Sequence, residues 1–254
     1  MKKRLLYFIL LFAITIAAVI YGISKRGRLT LSTDDGFSFS FIGKGDTEVS
    51  ESTDSFSNLQ IQLSQDDIEI EAGKNFGWTY KGPKTSVPTV HVDNDTFVIE
   101  ASSGEKKASS GGTLTVTIPS DHWELGQISL STKNGDIAID PDKRASAESL
   151  DISSDNGDIT LSDCTGKSIG ITTGNGDIDL EDASSDAFDL QTSNGDITLN
   201  LADSLDHYTI TPSTAMGDIT VGEDTLSGNK KISVGDGKKT IKAVTGMGDI
   251  NIDD

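Results

Sequence analysis

Aspartate recurs on a fixed frame in this chain. Asp136, Asp158, Asp177, Asp196, Asp218 and Asp249 each follow a glycine and precede an isoleucine. Carboxylates repeated at one structural position can stack into a column, and hard cations such as calcium take oxygen ligands of this kind. Asp136, Asp158, Asp177 and Asp196 are the candidate metal ligands on that reading. The competing reading is structural: each carboxylate accepts a backbone N–H at its turn, as Asp does elsewhere. At a spacing of about 4.8 Å, neighbouring charges repel by roughly 1 kcal/mol even at the dielectric of water. Some such bond must offset that. Neither the D-x-[DN]-x-[DN]-G calcium loop nor the G-G-x-G-x-D calcium repeat occurs in the chain.

Other chemistry is sparse. His91, His122 and His207 stand in unlike contexts and form no H-E-x-x-H pair. There is no G-x-S-x-G elbow, no P-loop and no dinucleotide-binding fingerprint leading into a helix. Carboxylates are abundant enough to supply a glycosidase-like pair. A polysaccharide lyase would need a basic residue in its groove, and beyond residue 28 the only arginine is Arg144, in the loop-like PDKRASAES. Cys164 is the single cysteine, and it reads as a small core residue. Trp78, Tyr80 and Trp123 offer either an aromatic platform for sugars or core and end-capping residues. The expectation is a protein with no catalytic residues, no cofactor and no enzymatic activity; a carbohydrate-active enzyme is the remote alternative.

The elements that carry the aspartates are internal repeats. Six segments align without gaps: LSTKNGDIAI (130–139), ISSDNGDITL (152–161), ITTGNGDIDL (171–180), LQTSNGDITL (190–199), PSTAMGDITV (212–221) and AVTGMGDINI (243–252). Their glycines, Gly135, Gly157, Gly176, Gly195, Gly217 and Gly248, are spaced by 22, 19, 19, 22 and 31 residues. Gln65 to Ile70 reads as a degenerate earlier copy. A period near 20 with alternating apolar residues suits one coil of a β-solenoid. The predicted fold is therefore all-β: a single-stranded parallel β-helix with coils of about 20 residues.

The apolar phase inverts at each glycine, which marks these glycines as structural turns. Before the glycine, alternation places the apolar, Ser/Thr and Asn/Met positions on one face. The expectation is an inward ladder of Asn134, Asn156, Asn175 and Asn194, continued by Met216 and Met247. Cys164 falls at the repeat position of Ala183, and Ile169 at that of Phe188. The long last spacing places an insertion near Thr225 to Gly237.

Residues 1–4 read as a short cytoplasmic tail and residues 5–23 as a transmembrane anchor, uncharged over a length that fits a bilayer core. A cleaved signal peptide is the alternative, with a longer apolar run than such peptides carry. Residues 24–55 read as a polar linker, interrupted by a strand-like run at Phe37, Phe39 and Phe41. Residues 56–254 form the extracytoplasmic solenoid, with an irregular part at 56–126, including a surface loop at 101–112, and the GDI repeats at 127–254. Beyond residue 28 the chain carries 15 basic and 40 acidic residues, a net of −25. Nucleic acid is excluded as a partner by that sign.

The serial N-G-D-I turns, the run LTVTIP (Leu114 to Pro119) and the N-terminal apolar segment together resemble a bacterial family provisionally named as adhesins, which includes LiaG-like envelope proteins. The resemblance covers residues 56–254. It implies a β-helix at the cell envelope, held to the membrane by its N-terminal helix, with envelope proteins or cell-wall and host-surface ligands as partners. A role as accessory to envelope-stress two-component signalling is the alternative it carries. It brings no catalytic residues.

Overall fold

The computed structural model describes residues 27–33, 37–43, 46–102, 111–227, 230–231 and 233–254. The predicted anchor at 5–23 lies outside them, as does most of the predicted surface loop. Among the described residues no helix is long and apolar enough to cross a membrane.

Alternation in the sequence becomes strand almost throughout. β1 (Gly27–Thr33) and β2 (Phe37–Gly43) pair antiparallel as a sheet of their own, so the alternating phenylalanines do mark a strand. Next come β3 (Asp46–Ser52), β4 (Asn58–Gln62), β5 (Asp67–Gly73), β6 (Gly77–Pro83), β7 (Thr89–Asp93), β8 (Thr96–Glu100) and β9 (Thr113–Pro119). The repeat region supplies β10 (Glu124–Asn134), β11 (Ile137–Asp140), β12 (Ala145–Asn156), β13 (Ile159–Ser162), β14 (Cys164–Asn175), β15 (Ile178–Asn194) and β16 (Ile197–Leu201). Then follow β17 (Tyr208–Met216), β18 (Asp218–Val221), β19 (Asp224–Ser227), β20 (Lys230–Lys231), β21 (Lys239–Met247) and β22 (Ile250–Asp253).

The repeats stack in parallel and in register. Asn134 pairs with Asn156, Asn156 with Asn175 and Asn175 with Asn194 before the corner. Ile137 pairs with Ile159, Ile159 with Ile178 and Ile178 with Ile197 after it. The domain is all-β and solenoid-like.

One coil shows how an odd period is accommodated. Its buried residues are Cys164, then Ile169, Ile171 and Thr173, then Ile178 and Leu180, with Ala183 beginning the next coil. The buried parity inverts three times. A 19-residue repeat returns each side chain to the same side only with an odd number of inversions, because strand side chains alternate. One inversion falls at the Gly-Asp corner. A second falls at Asp163 and Asp182, whose φ values of 49° and 52° suit the tolerance of Asp for the left-handed region. The third falls where the pairing skips from Gly166↔Ser185 to Ser168↔Ala187.

Three expectations need correction. The 24–55 linker is not structureless. β3 runs antiparallel to β6 from Asp46↔Pro83 to Ser52↔Gly77. Its polar sequence disguised it, but an edge strand is held by backbone pairing and needs little apolar burial. The irregular 56–126 part contains two further coils. β4 pairs with β10 and β8, and β5 with β11 and β9, all in parallel, while β6 and β7 cover that end in antiparallel. Trp78, Tyr80 and Trp123 are buried core residues, so the aromatic platform is not formed. The inward Asn/Met ladder is the third correction, and its reason lies in the corner described below.

Cys164 sits in the core, paired with Ala145 across the coils, and Ile169 pairs with Phe188. Burial pushes the Cys164 thiol up to about 12, with Asp163 adding to the shift. The thiolate is the reactive form. Thiol reagents at pH 8 are therefore expected to modify no cysteine in the native protein and one per chain in denaturant. Prompt native labelling, measured by mass, would contradict this.

Candidate binding surface

The repeated motif is a corner in which nearly every polar group answers the next coil. The Ser/Thr of the consensus is buried, and its hydroxyl donates to the glycine carbonyl of a neighbouring coil. Ser154 reaches Gly135 O at 3.0 Å, Thr173 reaches Gly157 O at 2.9 Å and Thr192 reaches Gly176 O at 3.0 Å. Thr245 and Thr214 repeat the contact with Gly195 and Gly248. Because these hydroxyls must point inward to that carbonyl, the chain turns immediately after them. The Asn two positions on is left outside the corner, and Met216 and Met247 are 61% and 49% exposed. The asparagines do form a ladder, with Nδ2 of Asn156, Asn175 and Asn194 donating to Oδ1 of the preceding Asn at 2.8–2.9 Å. It is a surface ladder. Replacement of Asn by Met interrupts only that outer run.

The aspartate column is equally structural in its bonding. Oδ1 of Asp67, Asp136, Asp158, Asp177, Asp196 and Asp249 accepts the backbone N–H of the next Asp in space, at 2.7–3.0 Å. Each amide partly neutralises a carboxylate that would otherwise repel its neighbours. This is the turn-amide arrangement, made between coils and not within one turn. Asp136, Asp158, Asp177 and Asp196 all lie in this column and are exposed. Among the described residues no group of three or more His, Cys, Asp or Glu converges as around a metal ion.

At the first coil the degenerate copy explains itself. Asp67 takes the Asp place, and Asp66 takes the Gly place. Asp66 is fully buried, with Oδ1 accepting from Tyr80 Oη at 3.1 Å and from the Gly112 amide. Gly111 and Gly112 let the chain pass close to it.

With the corner consumed by stacking, the outer faces remain. After the corner the outward column reads Glu69, Ala138, Thr160, Asp179, Thr198, Asn251 and Thr220, all in register. Beside it lie Glu71, Asp140, Ser162 and Glu181. Burial and the charges of Glu69 and Asp140 hold Glu71 above the usual carboxylate range, against the pull of Lys81. Before the corner the surface carries two shallow grooves of roughly 360 and 490 Å³ running across the strands. Thr165, Lys167 and Asp186 line one, and Asp151, Asp189 and Lys242 line the other. His91, His122 and His207 are separate and exposed. Arg144 lies 3.9 Å from Asp163 and lines neither of these grooves.

One cluster was not legible in the sequence. Asp203 Oδ2 accepts from Lys239 Nζ and Ser184 Oγ, both at 2.6 Å, and from Tyr208 Oη at 3.3 Å. Lys239 also lies 5.5 Å from the centre of the Tyr208 ring. These residues belong to three different coils and share no spacing. The Lys239 and Ser184 hydrogen bonds hold the Asp203 carboxyl down to about 2, and the bond to Asp203 raises Lys239. A protonated, ion-paired lysine is no general base, so the cluster works as a fastener.

Its stability contribution is present above the ordinary carboxylate range and is lost as pH falls towards 2, because the folded pKa is the lower one. Lys239 has the opposite sign and loses its contribution at high pH. Asp203→Asn is expected to cost about 1 kcal/mol near neutrality, discounted for partial exposure. The difference from wild type should vanish near pH 2. Denaturant titrations at both pH values check this.

These features define an all-β, solenoid-like protein whose repeat motif is a stacking device. The chain belongs to the Toastrack family, DUF4097, which matches residues 56–253. Among solved structures, a provisionally named cell adhesion protein of Clostridium sporogenes ATCC 15579 matches with a TM-score of 0.51 at 13% identity, over 82% of this chain and 99% of that one. A provisionally named adhesin of Bacteroides fragilis NCTC 9343 gives 0.45 at 15% identity, over 83% and 97%. The first likeness concerns the fold. No curated protein matches the chain.

Proposed function

We propose that this chain is a non-enzymatic protein of the cell envelope, anchored by residues 5–23, that presents a single-stranded parallel β-helix outside the membrane for binding or adhesion. The observation that carries the reading is the use of the repeat motif. Its Ser/Thr, Gly and Asp positions are bonded between coils, so any partner must meet the outer faces. Those faces are broad, shallow and acidic, which suits a basic or extended surface partner better than a small substrate. The adhesion name carried by the Clostridium protein agrees with this reading.

Two measurements test it. Full-length protein should fractionate with membranes and be digested by protease added outside intact cells. The domain beyond residue 56 should bind cell-wall polymers, envelope proteins or host-surface ligands in a salt-dependent way. Failure to bind any of these, or turnover of a polysaccharide, would count against the proposal.

A further inference from the structure

The last two repeats lie out of chain order. β21 and β22 sit between β15/β16 on one side and β17/β18 on the other, parallel to both. Phe188 pairs with Ile241 and Ile241 with Ile210; Asn194 pairs with Met247 and Met247 with Met216. The final coil is thus inserted between the fourth repeat and the fifth.

Both of its boundaries use the bonds found elsewhere in the stack. Asp249 N donates to Asp196 Oδ1 at 2.7 Å, and Asp218 N to Asp249 Oδ1 at 2.8 Å. The Thr245 and Thr214 hydroxyls make the usual contacts with Gly195 O and Gly248 O at 2.8 and 2.9 Å.

A coil in that position cannot be added to a finished stack. The outer coil, residues 208–221, must stand away from β15/β16 when the last segment enters. In that open state both flanking coils present unpaired parallel edges, and an unpaired edge is a template for any strand with the matching pattern. The matching pattern is the repeat's own, so the outside strand that fits is the same segment of another copy.

The connection does not tie the segment to its slot. Among the described residues of 223–238 the bonds go to the outer coil: β19 to β18, β20 to β17, and Val234 to Ile210 in both directions at 2.8 and 2.9 Å. Gly222, just past the end of β18, donates its N–H to Ile252 O at 2.9 Å, a contact that the segment of a second copy would make too. The inserted coil is fastened by Lys239 to Asp203 and by Lys242 to Asp189. Lysines from a second copy would make the same contacts.

We propose that the slot between the fourth and fifth repeats is a strand-exchange site, filled here in cis by residues 239–253 and able to take those residues from a second copy. The product is a reciprocally exchanged dimer. Exchange replaces one set of contacts by an identical set, so its cost is confined to the connection and to bringing two copies together.

The test uses two full-length populations, M216C and M247C, co-expressed and then oxidised. Both positions are exposed, so folding is retained, and the native Cys164 is buried. In an exchanged dimer the introduced thiols at 216 of one copy and 247 of the other lie one strand spacing apart, about 4.8 Å between backbones, within disulfide range. The expected result is 216–247 heterodimer several-fold above the 216–216 and 247–247 homodimers. D203N in both copies removes the same contacts from the cis and exchanged forms, so the heterodimer fraction should change by less than about twofold. Heterodimer equal to homodimer overturns the proposal. So does cross-linking confined to single chains of the M216C/M247C double variant.

Discussion

Gly176→Ala is expected to lower the stability of the domain by more than about 3 kcal/mol. A Cβ on Gly176 would stand 2.1 Å from Gly157 O and 2.5 Å from its carbonyl carbon. Both are backbone atoms of the stacked neighbour, so no rotamer change relieves the contact. The φ of 156° adds a conformation that L side chains rarely adopt. Relief requires moving the two coils apart by about 1 Å at the corner. That movement stretches the bond from Asp177 N to Asp158 Oδ1, now 2.8 Å, and the Thr173 bond to Gly157 O, now 2.9 Å. Gly170, six residues earlier in the same coil, is the control. Its Cβ would meet nothing nearer than 3.9 Å. Gly170→Ala is expected to stay within about 0.5 kcal/mol of wild type. Urea midpoints of the two variants decide the matter. If they differ by less than about 1 kcal/mol, close stacking at the corner is not what requires glycine.

The same corner separates what was legible in the sequence from what was not. The period, the inversion at glycine and the amide bond to the aspartate all follow from strand alternation and from charges that need partners. They need only the strand period and the stacking of like positions. The side on which Asn lies needs more, because it depends on where the chain bends between Thr192 and Gly195. The buried hydroxyl sets that point through a bond to another coil. β3 was hidden for a related reason: its partner β6 lies about 30 residues away, and an edge strand leaves little apolar signature. The Asp203 cluster was least accessible. Lys239 comes beside Asp203 only because the last coil is inserted out of order, and the 31-residue spacing marks an insertion without saying where the coil returns. Asp66 shows the limit at a single residue, since a charge in the glycine place reads as degeneracy until Gly111 and Gly112 are seen making room for it.

Phe188→Ala is expected to cost about 3–5 kcal/mol, the range for deleting a buried aromatic ring. Phe188 is 2% exposed and lies in a column of paired residues that runs Leu150, Ile169, Phe188, Ile241 and Ile210. It is the largest side chain of that run, and its ring centre is 6.1 Å from that of Tyr208. Neighbouring coils are fixed by the ladders on either side of the corner, so they cannot close over the space. Half of the resulting cavity faces Ile241 of the inserted coil. Amide exchange in β21 should therefore accelerate more than in β12, which lies two coils away. Met247→Ala supplies the contrast. By sequence pattern Met247 belongs to an inward ladder, and its truncation would then rival that of Phe188. By structure it is half exposed and contributes little packing, so its loss should change stability by less than about 0.5 kcal/mol. Denaturation curves for the two variants distinguish these outcomes, because an inward Met247 predicts similar losses, and an outward one predicts a gap of several kcal/mol between two residues of adjacent coils.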